Sequence, residues 1–345
     1  MGTVCMDIKV LGPLEAAEGD RSVVPSAGKP RQLLALLALN ARQMVPVPTM
    51  MEELWGSRPP RSASTTLQTY ILQLRRSLSA ALEGSGRRAK DVLITRSAGY
   101  LLLVEPQDVD ACRFDALTLQ GYAAFDAGDP DAASRLLGQA LGLWRGPALI
   151  DLPRGSRLEI EAARLEESRG AALERRLDAD LQIGRHREIL GELAGLTAQF
   201  PLHENLHAQF MLALHRSGMS ARALEVYRKL SVSLMDELGL EPSAPVQRLR
   251  RAVLSADPSL DAAGPVGAVG SVGSVGSVSP AGYGVAASGV GGLRPRTGLW
   301  SASAVVPPPR IPALESAVRG AVGPAHGHVD DHARASDHEH LTMGS

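Results

Sequence analysis

Apolar positions along this chain change their period several times, and each change marks a different kind of element. From Asp7 the order Asp-Ile-Lys-Val-Leu-Gly-Pro-Leu alternates as far as Gly12-Pro13, and residues 22–24 follow a polar turn, so two short strands open the chain. Pro30 stands where a first helical turn begins. Residues 31–40 are a Leu/Ala run ending at Asn40, which predicts a buried helix with an asparagine stop. A second, short helix over about 50–55 stops at Gly56. Past Pro59-Pro60, Ser62 or Ser64 can cap a long helix reaching about Leu82. Residues 93–96 and 100–104, separated by Ser97-Ala98-Gly99, form a tight β-hairpin.

From 112 to 256 the period is helical almost throughout. The predicted helices are 112–127, 131–144, 157–183, 186–199, 203–217, 219–237 and 243–256, punctuated by Gly128-Asp129-Pro130, Gly184, Pro201, Gly218 and the stretch from Gly239 to Pro242. Leu206, Phe210 and Leu214 repeat every four residues, as do Leu230, Leu234 and Leu238, giving each helix one apolar stripe. The spacing from Arg185 to Ser220 is close to the ~34-residue tetratricopeptide period, so this part reads as a repeat-like helical array. Beyond Pro258 the pattern ends: the 87 residues from Ser259 hold 15 Gly and 8 Pro. Gly recurs at every third position from Gly264 to Gly276, but these triplets are too few and too poor in proline for a collagen-like helix, and a disordered tail is expected. Its histidines, His326, His328, His332, His338 and His340, read as solvated rather than metal-binding.

Composition sharpens this picture. Aromatic residues are only 3% of the chain and the hydrophobic share of 44% is carried by Ala, Leu and Val, which argues against an all-β architecture. Two cysteines, Cys5 and Cys112, cannot build a disulfide framework, and no apolar run approaches a membrane span, so a cytoplasmic protein is expected. The net charge of -1 conceals a segregation. Residues 1–104 carry 13 Lys/Arg against 8 Asp/Glu (+5), residues 105–258 carry 18 against 23 (-5), and the remainder 5 against 6 (-1). A basic unit beside an acidic one suits a polyanion-binding module joined to a protein-facing module.

The helix predicted from Ser62 to Leu82 is the most informative element. Leu67, Ile71, Leu74 and Leu78 share a narrow seam that faces a core. Thr65, Thr69, Leu72 and Arg76 lie on the opposite side, flanked by Gln68 and Gln73, with no carboxylate before Glu83. Hydroxyls, amides and a guanidinium can enter a major groove without repelling phosphate, and each has a base-edge or backbone partner there. Three helices followed by a hairpin make a winged helix-turn-helix. Arg75, Arg87, Arg88, Lys90 and Arg96 then fall where the helix flank, loop and wing meet the DNA backbone.

The runs Thr66-Leu67-Gln68-Thr69-Tyr70, Leu74-Arg75-Arg76 and Thr95-Arg96-Ser97-Ala98-Gly99-Tyr100-Leu101-Leu102 resemble the Streptomyces antibiotic regulatory protein family. So do Leu143-Trp144-Arg145-Gly146-Pro147-Ala148-Leu149, Ala163-Arg164-Leu165-Glu166-Glu167, Gly184-Arg185-His186 and the stretch Asp236-Glu237-Leu238-Gly239-Leu240-Glu241-Pro242. The resemblance covers about residues 6–257. It implies a mainly α fold with a small β component: an OmpR-like winged helix-turn-helix over 1–104, of the phosphorelay output type, then an all-helical, tetratricopeptide-like bacterial transcriptional activator domain over 105–257. The disordered tail from 258 to 345 lies outside it. It further implies a pathway-specific activator of antibiotic biosynthesis genes, associated with the nucleoid. Such a protein binds direct repeats in double-stranded DNA, self-associates there and recruits RNA polymerase holoenzyme. Thr65, Thr69, Leu72, Gln73 and Arg76 would then read bases. Family members have an aspartate capping the second helix where this chain has Pro48-Thr49, so Thr49 is expected to take that role. The usual Asn, Ser and Arg or His of the recognition helix are replaced by Thr65, Leu72 and Gln73, which alters the expected target sequence.

One rival motif is present. His203-Glu204-Asn205-Leu206-His207 is a literal H-E-x-x-H, which on a helix would offer two zinc ligands and a general base. Its histidines share a stripe with Leu206, Phe210 and Leu214, Phe210 stands where the metzincin continuation needs glycine, and Glu225 is the one third ligand on offer. A zinc metalloprotease is therefore the secondary reading, and a helical scaffold that binds only protein is the third. No G-x-x-x-x-G-K-[ST], G-x-S-x-G or C-x-x-C occurs, so no catalytic residue, metal or cofactor is expected. Trp55 and Trp144 read as core side chains rather than base-stacking platforms, and Trp300 falls in the tail.

Overall fold

Along β1 (Met6–Lys9), Met6 and Ile8 are buried while Asp7 and Lys9 are half-buried, the period of a strand with one face on a core. The computed structural model describes residues 6–261. β1 pairs antiparallel with β2 (Glu15–Glu18), which pairs with β3 (Arg21–Ser22). The alternation predicted a strand reaching the break at Gly12-Pro13. It stops at Lys9 because the next amides bond to distant carboxylates: Val10 and Leu11 donate to Asp110 at 2.8 and 3.1 Å, and Leu14 to Asp151 at 2.8 Å.

α1 (Gly28–Leu39) buries residues 32–38 and ends at Asn40, whose side-chain amide donates to the Leu36 carbonyl at 2.8 Å. A three-residue strand too short to leave a periodic signal, β4 (Met44–Pro46), runs straight into α2 (Val47–Trp55). That corrects two expectations. The helix starts three residues early, and Thr49 does not cap it: Pro46 holds the cap position, no side chain bonds there, and Thr49 lies inside the first turn. α3 (Ala63–Ala81) begins after Ser62, which also makes no side-chain cap; backbone bonds from Ala63 to the Pro60 carbonyl and from Thr66 to the Ser62 carbonyl close that turn instead. A one-turn helix, α4 (Ala89–Val92), leads into the hairpin of β5 (Leu93–Arg96) and β6 (Gly99–Leu102), joined by Ser97-Ala98. β6 is the central strand between β4 and β5. Gly99 belongs to that strand rather than to the turn, and a Cβ there would sit 2.1 Å from the Val45 carbonyl oxygen.

The rest is helical: α5 (Asp110–Asp126), α6 (Pro130–Leu141), α7 (Ser156–Gln182), α8 (Leu190–Gln199), α9 (Glu204–Arg216), α10 (Ser220–Leu238) and α11 (Ala244–Leu254). The helix expected from 186 begins instead at Leu190, behind a 3-10 turn at Arg185–Arg187. Leu230 and Leu234 are buried as their stripe predicted, but Leu238 is 53% exposed because α10 ends there. Order continues past 257: Asp257 accepts the Ser259 amide at 2.9 Å, and Leu260 is 1% exposed in a closing 3-10 turn. The rest of the expected tail, with Trp300 and the five histidines, lies outside the described residues, as does Cys5. Among the described residues no helix is long and apolar enough to cross a membrane.

Two apolar cores organise the chain, and their division falls inside α7. The first gathers residues from Met6 to Ala172, and the second those from Leu177 to Leu260. The expected boundary near residue 104 therefore lies where one core runs without interruption from the winged helix into α5, α6 and the first half of α7. Polar bonds, buried around Glu53 and Gln32 and exposed elsewhere, reinforce that seam. Glu53 of α2, 2% exposed, accepts the amides of Gly155, Arg157 and Leu158 at 2.7, 2.9 and 3.2 Å and so caps α7 from another element. Gln32 of α1 donates to the same carboxylate at 2.8 Å. Arg145 bonds Glu15 and the Pro13 carbonyl, and Asp151 pairs with Arg31.

Candidate nucleic-acid interface

α3 follows α2 after a seven-residue loop. Its two faces separate as the sequence predicts: Leu67, Ile71, Leu74 and Leu78 are buried against α1, α2 and the first sheet, while Thr65, Thr69, Leu72, Gln73 and Arg76 are exposed. Leu72 is 49% exposed in the middle of that polar face. The Thr69 hydroxyl donates to the Thr65 carbonyl at 3.1 Å, which leaves its lone pairs outward as acceptors. Tyr70 packs on Trp55 with ring centroids 6.3 Å apart, and the Lys29 ammonium lies over the indole at 4.9 Å, so Trp55 fixes α2 against α3. Trp144 meets Phe114 edge-on and Arg169 over its face, both tryptophans thus being packing residues.

The cations around α3 differ in what already holds them. Arg76, Lys90 and Arg96 are exposed and make no hydrogen bond or ion pair among the described residues. Arg88 is tied to Asp91 through two bonds of 3.0 and 3.1 Å, which raise the arginine and lower the aspartic acid from their ordinary pKa values. Arg87 is half-buried near Glu18; burial pushes that carboxyl up and the guanidinium pulls it back. Arg75 is half-buried and donates to the wing: Nε and Nη2 reach the Leu93 carbonyl at 3.2 and 2.8 Å, and Nη2 reaches Thr95 Oγ1 at 2.8 Å.

Three basic residues escaped the sequence reading. Arg58 and Arg61 stand exposed in the loop before α3, with no hydrogen bond or ion pair among the described residues. The loop, with Pro59-Pro60 between the two arginines, hid them, since no period assigns them a face. Arg21 of β3 donates to the Ala80 and Glu83 carbonyls at 3.2 Å, neutralising the C-terminal end of α3. Only the pairing of β3 with that end reveals it.

The H-E-x-x-H residues occupy a different place, between α7 and α9. His203 is not on the helix; it is the α9 cap, its Nδ1 accepting the Leu206 amide at 3.4 Å and its Nε2 facing Glu174 at 3.1 Å. The hydrogen bond with Glu174 raises the His203 pKa, while burial pushes that of His207 down. The Glu204 carboxylate accepts the Ser243 amide at 2.6 Å, and Glu225 pairs with Lys229. No group of three or more His, Cys, Asp or Glu side chains suited to a metal ion occurs among the described residues.

Comparison with known proteins places both halves. Residues 21–102 match the family described as transcriptional regulatory protein, C terminal, and residues 109–254 match the bacterial transcriptional activator domain. The chain is 54% identical over 261 residues to the regulatory protein DnrI of Streptomyces peucetius, covering 75% of this chain and 96% of that one. It is 38% identical over 256 residues to the transcriptional regulator RedD of Streptomyces coelicolor, covering 74% and 72%. Among solved structures, Mycobacterium tuberculosis EmbR in complex with a low-affinity phosphopeptide superposes with a TM-score of 0.69 at 31% identity, covering 75% of this chain and 69% of that one.

Proposed function

The chain belongs to the Streptomyces antibiotic regulatory protein family, a family of transcriptional regulators, and from that premise we propose that it is a pathway-specific activator without enzymatic activity. It binds direct repeats in double-stranded DNA through its winged helix-turn-helix, self-associates on them, and recruits RNA polymerase holoenzyme through its helical domain on the nucleoid. The observation that carries this reading is the outward face of α3, which holds hydroxyls, amides, one guanidinium and one leucine, with no carboxylate, beside unpaired wing and loop cations.

The division of labour follows from exposure and pairing. Thr65, Thr69, Leu72, Gln73 and Arg76 read base edges, the leucine by apolar contact with a thymine methyl. Arg87, Arg88, Lys90 and Arg96 meet phosphate or the minor groove, and Arg58 and Arg61 clamp the phosphates at the start of α3. Genome-wide mapping of DNA bound by the tagged full chain tests the class. The expected result is enrichment at a few upstream regions that share a tandem motif. Binding spread without any common motif would sink the reading.

A further inference from the structure

Arg75 and Arg76 are adjacent on α3, about 100° apart around its axis, and the fold uses them differently. Arg76 points outward with no partner among the described residues, whereas Arg75 is half-buried and bonded to β5. β5 is the edge strand of the β4-β6-β5 sheet, so the carbonyls on its outer side have no neighbouring strand. The Arg75 guanidinium supplies what that edge lacks: two N–H groups converge on the Leu93 carbonyl, and Nη2 also reaches the Thr95 hydroxyl. A planar fork can satisfy both acceptors in a fixed geometry; a lysine ammonium cannot. The next residue after Thr95 is Arg96, at the tip of the wing.

We propose that Arg75 is a positioning residue, a brace that locks the wing to the recognition helix so that α3 and Arg96 meet DNA as one unit. The proposal rests on the DNA-binding reading above but assigns Arg75 a role distinct from phosphate contact. Because the brace sets where Arg96 stands, loss of Arg75 removes the contribution of Arg96 as well, and the two residues are energetically coupled although they do not touch.

The test uses the full chain in two measurements. First, hydrogen–deuterium exchange is followed without DNA for wild type, Arg75→Leu, Arg75→Lys and Thr95→Val. Exchange across residues 93–102 accelerates about tenfold in Arg75→Leu, less in Thr95→Val and in Arg75→Lys, with α8 to α11 unchanged. Unchanged protection of the hairpin in Arg75→Leu overturns the brace, whatever the protein binds. Second, affinity is measured for a duplex selected by wild type from a randomised library, in a cycle of Arg75→Leu, Arg96→Ala and the double variant. The Arg96→Ala penalty is expected to shrink severalfold in the Arg75→Leu background. Fully additive penalties, with the salt slope lowered by about one charge for Arg75→Leu alone, would instead make Arg75 a phosphate contact and overturn the proposal. A wild-type chain that selects no duplex sinks the DNA-binding reading and the coupled contact with it, while the exchange result still decides the brace.

Discussion

Leu72 stands half-exposed among threonines and glutamines, although the buried seam of α3 is complete without it. If it meets a thymine methyl, Leu72→Ser relaxes preference at one T·A position by about 1 kcal/mol and leaves the salt slope unaltered. Arg76→Ala either loses discrimination at one guanine by roughly 1–3 kcal/mol or lowers the salt slope by about 1. Selection from randomised duplexes at two salt concentrations separates these, and a Leu72→Ser profile identical to wild type would remove the helix from the groove. A second residue makes a prediction about acid. Asp178 of α7, bonded by Gln209 of α9, is pushed up from 3.8 to about 6 by burial, which outweighs that hydrogen bond and the nearby Arg175. The folded state therefore holds a proton that the unfolded chain has released between those two values. Stability falls as pH rises through that window, and the penalty is complete above pH 6. Asp178→Asn should raise stability at pH 7.5 by on the order of 2 kcal/mol and leave it unchanged near pH 3.5, read as urea midpoints at each pH. A gain that is equal at both pH values would show that ionisation is not the cause. Of these residues the face of α3 was legible beforehand, because one helix and one period place all its members. Asp178 was not, since its burial depends on α9, about thirty residues away.

At the scale of elements, the joint between α2 and α7 is the most exposed to a single change. Glu53, 2% exposed, satisfies three amides at the start of a 27-residue helix. Glu53→Ala should cost about 3 kcal/mol, as buried donors bonded to a charged acceptor are left unpaired. Gly155→Ala should cost a comparable amount by a different route, because a Cβ there would stand 2.1 Å from the Glu53 carbonyl oxygen. Both are checked by chemical denaturation with fluorescence and circular dichroism, and a loss under 1 kcal/mol in either would show that the joint relaxes freely. Periodicity revealed α2 and α7 as helices but not that one caps the other, since Glu53 and Gly155 are 102 positions apart. The same limit hid β4, whose three residues carry no pattern until Gly99 is seen against Val45. It also misplaced the α2 cap on Thr49, because the Val47 amide donates to the Ala98 carbonyl at 3.0 Å and Pro48 has no amide to satisfy.

For the whole molecule, the unbroken first core predicts that the winged helix does not stand alone. A fragment ending at residue 104 lacks Val109, Phe114, Leu149 and Leu158, all buried in that core, together with the Asp110 carboxylate that holds Val10 and Leu11. It should melt without a cooperative transition, whereas 1–261 should melt as the full chain does, by circular dichroism at 222 nm. A sharp transition in the short fragment would mean that the shared core is dispensable. The hairpin, most of the helices, the basic and acidic halves and the α3 face followed from the sequence, whereas β2, β4 and α4 did not. The fusion of the two halves did not, because core membership is set by contacts between distant segments. α7 passes through both cores, and at about 1.5 Å per residue its 27 residues measure about 40 Å, near the ~35 Å of one DNA turn. A continuous rod carries an angle as well as a length, so neighbouring molecules on tandem half-sites would be in phase only on the same side of the duplex. Inserting about half a helical turn between the repeats should abolish cooperative binding, and about a whole turn should restore part of it. Cooperativity indifferent to that rotation would make the helix a hinge, not a protractor.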